Sequence, residues 1–184
     1  MRKRIGSLLL FVVVLVGCNK KEAYTEITYA NKFSLEVPTA MQKTKALNSQ
    51  ATLQLQNTEE ELYLIAIDEN KEAINQMFDT SEIAKEGVDS FALFSQATLD
   101  LLTTTLDTVE PSELQLQEVV TNNLNGRVVN FTASIAGLEV YYKFATFEGK
   151  EDYYQVLTWT LKQNKEKNQE QMDTMINSFK EVKK

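Results

Sequence analysis

The chain has 184 residues, with 26 acidic against 19 basic side chains, no histidine and a single cysteine. Without histidine it lacks the imidazole base of Ser-His and Cys-His nucleophilic sites and the histidine ligands of zinc, copper or iron sites. The acidic balance disfavours nucleic acid as a partner, because it repels phosphate backbones. Only carboxylate, lysine, tyrosine or hydroxyl groups remain for catalysis.

The first eighteen residues have the pattern of an export signal. The basic residues Arg2, Lys3 and Arg4 precede an apolar run over residues 8–16, an order typical of a secretory signal peptide. The run ends in Leu15-Val16-Gly17-Cys18, which resembles the lipobox of bacterial lipoproteins. In that family the cysteine sulfur receives a diacylglycerol, the peptidase cuts before the cysteine, and the new amine is usually acylated. The resemblance implies Cys18 as the lipid-attachment residue.

Two other interpretations of this segment are a transmembrane helix and an ordinary secretory signal that happens to end in a cysteine. A spanning helix needs about 20 apolar residues, whereas the run over residues 5–17 has 13. In an exported protein, an unpaired cysteine would otherwise be a free thiol. Two or three acyl chains anchor a protein stably where one is marginal. We therefore expect a membrane-bound protein of the bacterial envelope, with its domain in the periplasm or at the cell surface. The outer membrane is favoured, because Asn19 stands where enterobacterial lipoproteins that stay in the inner membrane have an aspartate.

Three segments are predicted along the chain. Residues 1–17 form the signal peptide, residues 18–31 a lipidated N-terminus and short tether, and residues 32–184 a single domain. Removal of the signal leaves 16 basic and 26 acidic residues, a formal charge of −10. Residues 24–29 inside the tether are a candidate for a first strand.

The first half of the domain alternates between strand and helix patterns. Residues 33–37 alternate apolar and polar and stop at Pro38, which predicts a strand. A second strand is predicted over residues 51–56. Residues 61–67 are apolar on both faces, as in a central strand that is covered on both sides. The predicted helices are a short one over residues 71–78 and, after a polar loop over residues 79–87, one from an Asp89 or Ser90 N-cap to about Leu106. Its apolar face is assigned to Phe91, Phe94, Thr98, Leu101, Leu102 and Thr105.

The second half is predicted to be a four-stranded meander followed by a helix. The strands cover residues 114–121, 127–135, 138–147 and 151–161, with tight turns at Asn125-Gly126, at Ala136-Gly137 and around Gly149. Short connections require antiparallel neighbours. The final helix runs from an Asn164 cap to about Lys180. Its apolar stripe is Met172, Met175, Ile176 and Phe179. The predicted fold class is α+β, with an antiparallel sheet covered by helices.

Two motifs then suggest a family. Phe33-Ser34-Leu35-Glu36-Val37-Pro38 resembles the opening of PsbP-like and DcrB-like domains, and Met175-Ile176-Asn177-Ser178-Phe179 is similar to their closing helix. The chain departs from many members at Thr39, where they carry a tryptophan. The resemblance implies an α/β/α sandwich with helices on both faces of the sheet. It also implies a non-enzymatic binding or accessory protein, without a catalytic residue to carry over.

Three clusters are candidates for chemistry. Glu59-Glu60-Glu61 is interpreted as a solvated turn rather than a cation site. The run from Asp68 to Glu72 resembles a calcium loop only weakly, because the sixth-position glycine and the terminal glutamate are missing. The pairs Tyr141-Tyr142 and Tyr153-Tyr154 are interpreted mainly as cross-strand core aromatics. A second interpretation joins one tyrosine of each pair with Trp159 and Lys143 in an exposed patch that stacks on a sugar or a partner.

The sequence predicts a lipid-anchored, monomeric accessory module that contacts an unidentified envelope protein. It predicts no cofactor, no metal and no enzymatic activity. The alternatives are a carrier of a small apolar ligand and an envelope hydrolase that uses two carboxylates. A deep pocket with paired carboxylates would favour the hydrolase.

Overall fold

The structure, a computed structural model, describes residues 22–79 and 89–182. The predicted signal peptide, Cys18 and nearly all of the predicted polar loop over residues 79–87 lie outside the described residues. Among the described helices, none is long and apolar enough to cross a membrane.

A small three-stranded sheet opens and closes the fold. Its strands, in the order β1-β2-β11, are β1 (Tyr24–Tyr29), β2 (Phe33–Pro38) and β11 (Lys180–Glu181), all antiparallel. β1 pairs with β2 along its full length, from Tyr24 opposite Pro38 to Tyr29 opposite Phe33. The described fold therefore already includes the N-terminal segment from Tyr24.

A large antiparallel sheet forms the centre of the domain, in the order β3-β4-β5-β10-β9-β8-β6, with β7 also pairing with β8. The four-stranded meander β7 to β10 is confirmed, because each of these strands pairs with the next. The strands are β3 (Gln42–Lys43), β4 (Leu53–Asn57), β5 (Leu62–Asn70), β6 (Thr108–Val109), β7 (Gln117–Thr121), β8 (Leu124–Ile135), β9 (Leu138–Glu148) and β10 (Asp152–Leu161).

One predicted turn is wrong. The turn between β7 and β8 lies at Asn122-Asn123, whose φ angles are 50° and 67°, as in tight hairpins with two left-handed residues. Asn125-Gly126 instead lies inside β8, where a Cβ at position 126 would come within 2.8 Å of the Phe147 ring. This glycine serves packing rather than a turn. The predicted turn at Ala136-Gly137 is confirmed, with φ angles of 50° and 78°.

The helices are α1 (Lys71–Asp79), α2 (Ser90–Thr103) and α3 (Lys165–Asn177). Asp89 caps α2, because its Oδ1 accepts a hydrogen bond from the Phe91 N–H at 3.2 Å. α2 ends three residues before the predicted Leu106, in a run of threonines whose hydroxyls donate to carbonyls three residues back. Leu101, assigned to its apolar face, is 67% exposed, and Leu99 is buried instead.

The third helix carries the predicted stripe, although it ends at Asn177 rather than near Lys180. Met172, Met175, Ile176 and Phe179 are fully buried. Asn164 occupies the N-cap position without capping, and its side chain donates to Glu61 Oε2 at 3.0 Å.

Both faces of the large sheet are covered. On one face α3 and the small sheet enclose a core with Phe33, Phe147 and Phe179 at its centre. On the other face α1, α2 and the following loop pack over Phe131, Phe144 and Tyr153. β5 is buried on both sides, as predicted for a central strand. The α+β fold with a covered antiparallel sheet is confirmed.

The two ends of the large sheet differ in what surrounds them. One end is called the entry end below, because the described chain begins next to it. Here Leu62 lies opposite Thr160 and Ile135 opposite Leu138. At the other end, called the acidic end below, β5 and β9 finish and β8 and β10 begin, with Asp152 opposite Asn70. The two ends are separated by the length of strands such as β10, ten residues or about 33 Å.

Candidate functional site

Three cavities surround the β9–β10 turn at the acidic end, with volumes of about 250, 360 and 690 Å³. Eight acidic and four basic side chains line them, which gives this end an excess of negative charge. The acidic ones are Glu72, Asp79, Asp89, Glu118, Glu148, Glu151, Asp152 and Glu181, and the basic ones are Lys32, Lys71, Arg127 and Lys150.

Lys32 joins the small sheet to the large one at the smallest of these cavities. It is the last residue of the β1–β2 turn, where Ala30 and Asn31 have φ angles of 46° and 56°. Its Nζ donates to Asp68 Oδ2 at 2.5 Å and lies 3.1 Å from Asp152 Oδ2. The hydrogen bond to Asp68, with that to Asp152, outweighs burial and raises the pKa of Lys32 above its ordinary value. One ammonium thus faces two carboxylates.

The Asp68 side chain is more deeply buried than that of its partner Lys32. Its side chain is 9% exposed, whereas that of Lys32 is 33% exposed. The second oxygen, Oδ1, is buried and accepts no hydrogen bond from the described residues. A buried acceptor without a partner is costly, since a carboxylate oxygen removed from water normally accepts at least one bond. Within the described residues, the Asp68 carboxylate thus accepts through Oδ2 alone, from Lys32.

Tyr154 and Glu181 form the opposite wall of this cleft. The Tyr154 hydroxyl donates to Glu181 Oε1 at 3.1 Å, and the Lys150 backbone N–H donates to the same oxygen at 3.0 Å. Burial, together with the negative charge of Glu181, raises the pKa of Tyr154 far above its ordinary value, so the phenol stays a donor. Gly149 makes the turn possible, because a Cβ there would lie 2.4 Å from Glu181 Oε1 and 2.6 Å from the Tyr154 ring.

The other two cavities are organised by Arg127 and Lys71. Arg127 Nη2 donates to Glu118 Oε1 at 2.9 Å, and its guanidinium lies 5.9 Å from the Phe91 ring centroid. Lys71 Nζ donates to Glu148 Oε1 at 2.5 Å. Burial raises the pKa of Glu148, but the hydrogen bonds from Lys71 and Asn125 outweigh it and hold that pKa below its ordinary value.

The two acidic clusters considered in the sequence analysis lie in different structural settings. Glu59 is exposed, as a solvated turn predicts, but Glu60 forms an ion pair with Lys167 on α3. The run from Asp68 to Glu72 is not a loop, since it finishes β5 and begins α1. Within residues 22–79 and 89–182, no group of three acidic or cysteine side chains is arranged to hold a metal ion.

The second interpretation of the tyrosine pairs, an exposed aromatic patch, is wrong. All four tyrosines of the two pairs are at most 5% exposed, because both faces of the sheet are covered. Lys143 lies on the α3 face and forms an ion pair with Asp173, whereas Trp159 lies on the opposite face. Trp159 stacks on Tyr63 of the neighbouring strand, with ring centroids 5.3 Å apart. The core interpretation of the aromatics is confirmed.

The residues of the acidic end were not singled out as a site by the sequence. They come from segments far apart in the chain, from Lys32 to Glu181, and only the sheet register brings them together. The available signal was the position of carboxylates at predicted strand ends. Asp68 and Asp152 both stand there, and neighbouring antiparallel strands place such residues at one edge.

No protein-family model matches the chain, and no curated protein sequence matches it either. Among solved structures, that of cyanobacterial PsbP (CyanoP) from Synechocystis sp. PCC 6803 gives a TM-score of 0.58 at 8% identity, over 92% of this chain and 98% of that one. LpqN, involved in cell envelope biogenesis of Mycobacterium tuberculosis, gives 0.57 at 10% identity, over 90% and 88%. A Bacteroides thetaiotaomicron VPI-5482 structure gives 0.51 at 8% identity, over 83% and 46%.

The fold is PsbP-like. At identities of 8–10% this similarity establishes architecture and not activity. The two motifs that suggested the PsbP-like fold meet in the structure, since the rings of Phe33 and Phe179 stack with centroids 5.3 Å apart.

Proposed function

We propose that the chain is a lipid-anchored accessory protein of the bacterial cell envelope that binds a partner through its acidic end. Cys18 is the lipid acceptor in this proposal, and the protein is a monomer without enzymatic activity. Residues 1–17 are removed, and one PsbP-like domain follows the lipidated cysteine. The observation that carries the proposal is the position of the acidic end, which lies across the sheet from the end where the chain enters.

The entry point follows from the register. Tyr24 lies opposite Pro38, and the Met41 N–H donates to the Pro38 carbonyl at 3.0 Å. Gln42 then pairs with Gln56, next to the β4–β5 turn at the entry end. The other end of the β1–β2 hairpin carries Lys32, which contacts the acidic end. A lipid on Cys18 therefore holds the entry end near the membrane and leaves the acidic end facing away.

The chemistry of the acidic end fits a cationic partner. Its cavities carry twice as many acidic as basic side chains, and Glu72, Glu118 and Glu151 among them are exposed. Lysine and arginine side chains donate hydrogen bonds to such carboxylates and complement their charge. Charge complementarity of this kind increases the rate of association and weakens as salt rises.

The two alternatives have less support. A carrier needs an apolar cavity between sheet and helix, but on the α3 face the fully buried Phe179 stacks on Phe147 with centroids 4.6 Å apart. A hydrolase needs two carboxylates that converge on a substrate. Asp68 and Asp152 do converge, yet the Lys32 ammonium occupies the space between them. The envelope role of LpqN, a structural neighbour, is in keeping with the location proposed here.

Co-purification from solubilised envelopes tests the proposal with two matched triple variants. The first replaces Glu72, Glu118 and Glu151, all exposed at the acidic end, by glutamine. The control replaces Glu59, Glu139 and Glu166, all exposed at the entry end. We expect the first variant to lose a partner that wild type retains, by about threefold or more at ~0.2–1 kcal/mol per exposed ion pair. Equal retention by both variants would contradict the proposal.

A further inference from the structure

The β8–β9 hairpin tip exposes apolar side chains at the entry end. Ile135 and Leu138 are 38% and 56% exposed, and they pair across the two-residue turn Ala136-Gly137. The four consecutive residues from Ile135 to Leu138 are thus all exposed, and none of them has a polar side chain. The tip is therefore a small contiguous apolar surface that burial away from water would stabilise.

The tip lies at the end of the sheet where the chain enters. β9 begins at Leu138 on the same edge as β5 at Leu62, because antiparallel strands alternate in direction. β10 separates β5 from β9 in the sheet order, and β8 follows β9. At about 4.8 Å per strand, the tip lies roughly 10–14 Å across the sheet from the start of β5, two strands away at β9 and three at β8.

The segment between the proposed lipid and the first strand is short. Five residues lie between Cys18 and Tyr24, where β1 begins, and the six steps from one Cα to the next span at most about 20 Å when fully extended. A lipid on Cys18 would keep the entry end within this distance of the bilayer surface. An apolar tip at that end can then reach the boundary between headgroups and acyl chains.

We infer that the β8–β9 tip inserts into the phospholipid bilayer and, together with the lipid on Cys18, fixes the orientation of the domain. This inference rests on the proposed lipid anchor. The contact is apolar, because the tip residues carry no charge. The basic residues Lys162 and Lys167 at the same end are paired with Glu139 and Glu60. The contact should therefore depend little on salt or on anionic lipid. The acidic end then points into the aqueous compartment.

Fluorescence of the full lipoprotein in phosphatidylcholine vesicles tests this inference. Ala136→Cys and, as a second tip position, Leu138→Cys receive an environment-sensitive maleimide, because a lipidated Cys18 has no free thiol. Lys150→Cys, in the turn at the acidic end, is the matched control. We expect both tip labels to shift to shorter wavelength and to be quenched by nitroxides on the acyl chains, and the control label to show neither effect.

Vesicle flotation distinguishes the failure of this inference from that of the anchor. If the protein floats with the vesicles but the tip labels are not quenched, the insertion is refuted and the anchor stands. If the protein does not float, the anchor and the insertion both fail. A shift at the tip that depends on protein concentration and persists without lipid would mark self-association, and it would also refute the insertion.

Discussion

Phe179→Ala removes the side chain that joins the small sheet, the large sheet and the segment after α3. Phe179 is fully buried. Its ring stacks on Phe147 and Phe33, with centroids 4.6 and 5.3 Å away, and lies 5.2 Å from that of Tyr154. These three partners belong to β9, β2 and β10, so truncation opens a cavity where the layers meet.

The size of the effect follows from three contributions. Loss of a buried phenylalanine forfeits about 1.5–3 kcal/mol of transfer free energy. A residual cavity of, for example, ~50 Å³ adds about 1.2 kcal/mol at 24 cal/mol per Å³. Stacked aromatic pairs contribute roughly 0.5–1.5 kcal/mol beyond their buried area. We expect a loss of about 3–5 kcal/mol in the free energy of unfolding, the usual range for such a truncation.

Equilibrium urea unfolding of residues 22–184, which we expect to form a soluble monomer, measures this loss. Leu101→Ala is the control, because Leu101 is 67% exposed on α2 and surface truncations change stability by no more than about 0.5 kcal/mol. Thermal unfolding should show a fall in Tm of roughly 6–20 °C for Phe179→Ala. If Phe179→Ala changes stability as little as Leu101→Ala does, then Phe179 does not join the layers.

Three further predictions concern the anchor and the acidic end. Cys18→Ala should leave the precursor uncut and without metabolic fatty-acid label, and label in the variant would refute the lipobox. Gly149→Ala should cost about 1–3 kcal/mol by overpacking, since its Cβ would lie 2.8 Å from the Asp152 carbonyl oxygen; unchanged urea unfolding would refute that close approach. The lowered pKa of Glu148 stabilises the fold above its ordinary pKa of 4.5, and this stability is lost as pH falls through the folded pKa. Glu148→Gln should therefore be less stable than wild type at pH 7, with a difference that shrinks below pH 4.5, and a constant difference would exclude this ion pair.

Local patterns predicted the elements well where periodicity and burial agree. Residues 61–67 are apolar on both faces and form the central strand β5, and the stripe from Met172 to Phe179 is buried as expected. Errors occurred where a residue serves packing instead of its usual local role. Gly126 gives space to the Phe147 ring and makes no turn, and Leu101 faces solvent because Leu99 takes the core position.

The candidate site could not be predicted from local sequence patterns, because it depends on long-range strand pairing. Lys32 precedes β2, Asp68 lies in β5 and Asp152 begins β10, and no spacing in the sequence predicts that these three residues meet. The short β11, which adds Glu181 to the cleft, has only two residues and is paired by tertiary context. The aromatic pairs were assigned to the core correctly, but their exposed alternative could be excluded only once both faces were seen to be covered.

Site-specific photo-crosslinking in intact cells tests whether the acidic end binds a partner protein. A photoreactive residue at Glu151 probes the acidic end, and one at Glu59 probes the entry end, both being exposed. We expect a discrete protein adduct from position 151 that is absent from position 59 and is lost when Glu72 and Glu118 are replaced by glutamine, as binding at the acidic end requires. An adduct from position 59 alone, or the same adduct from both positions, would contradict it.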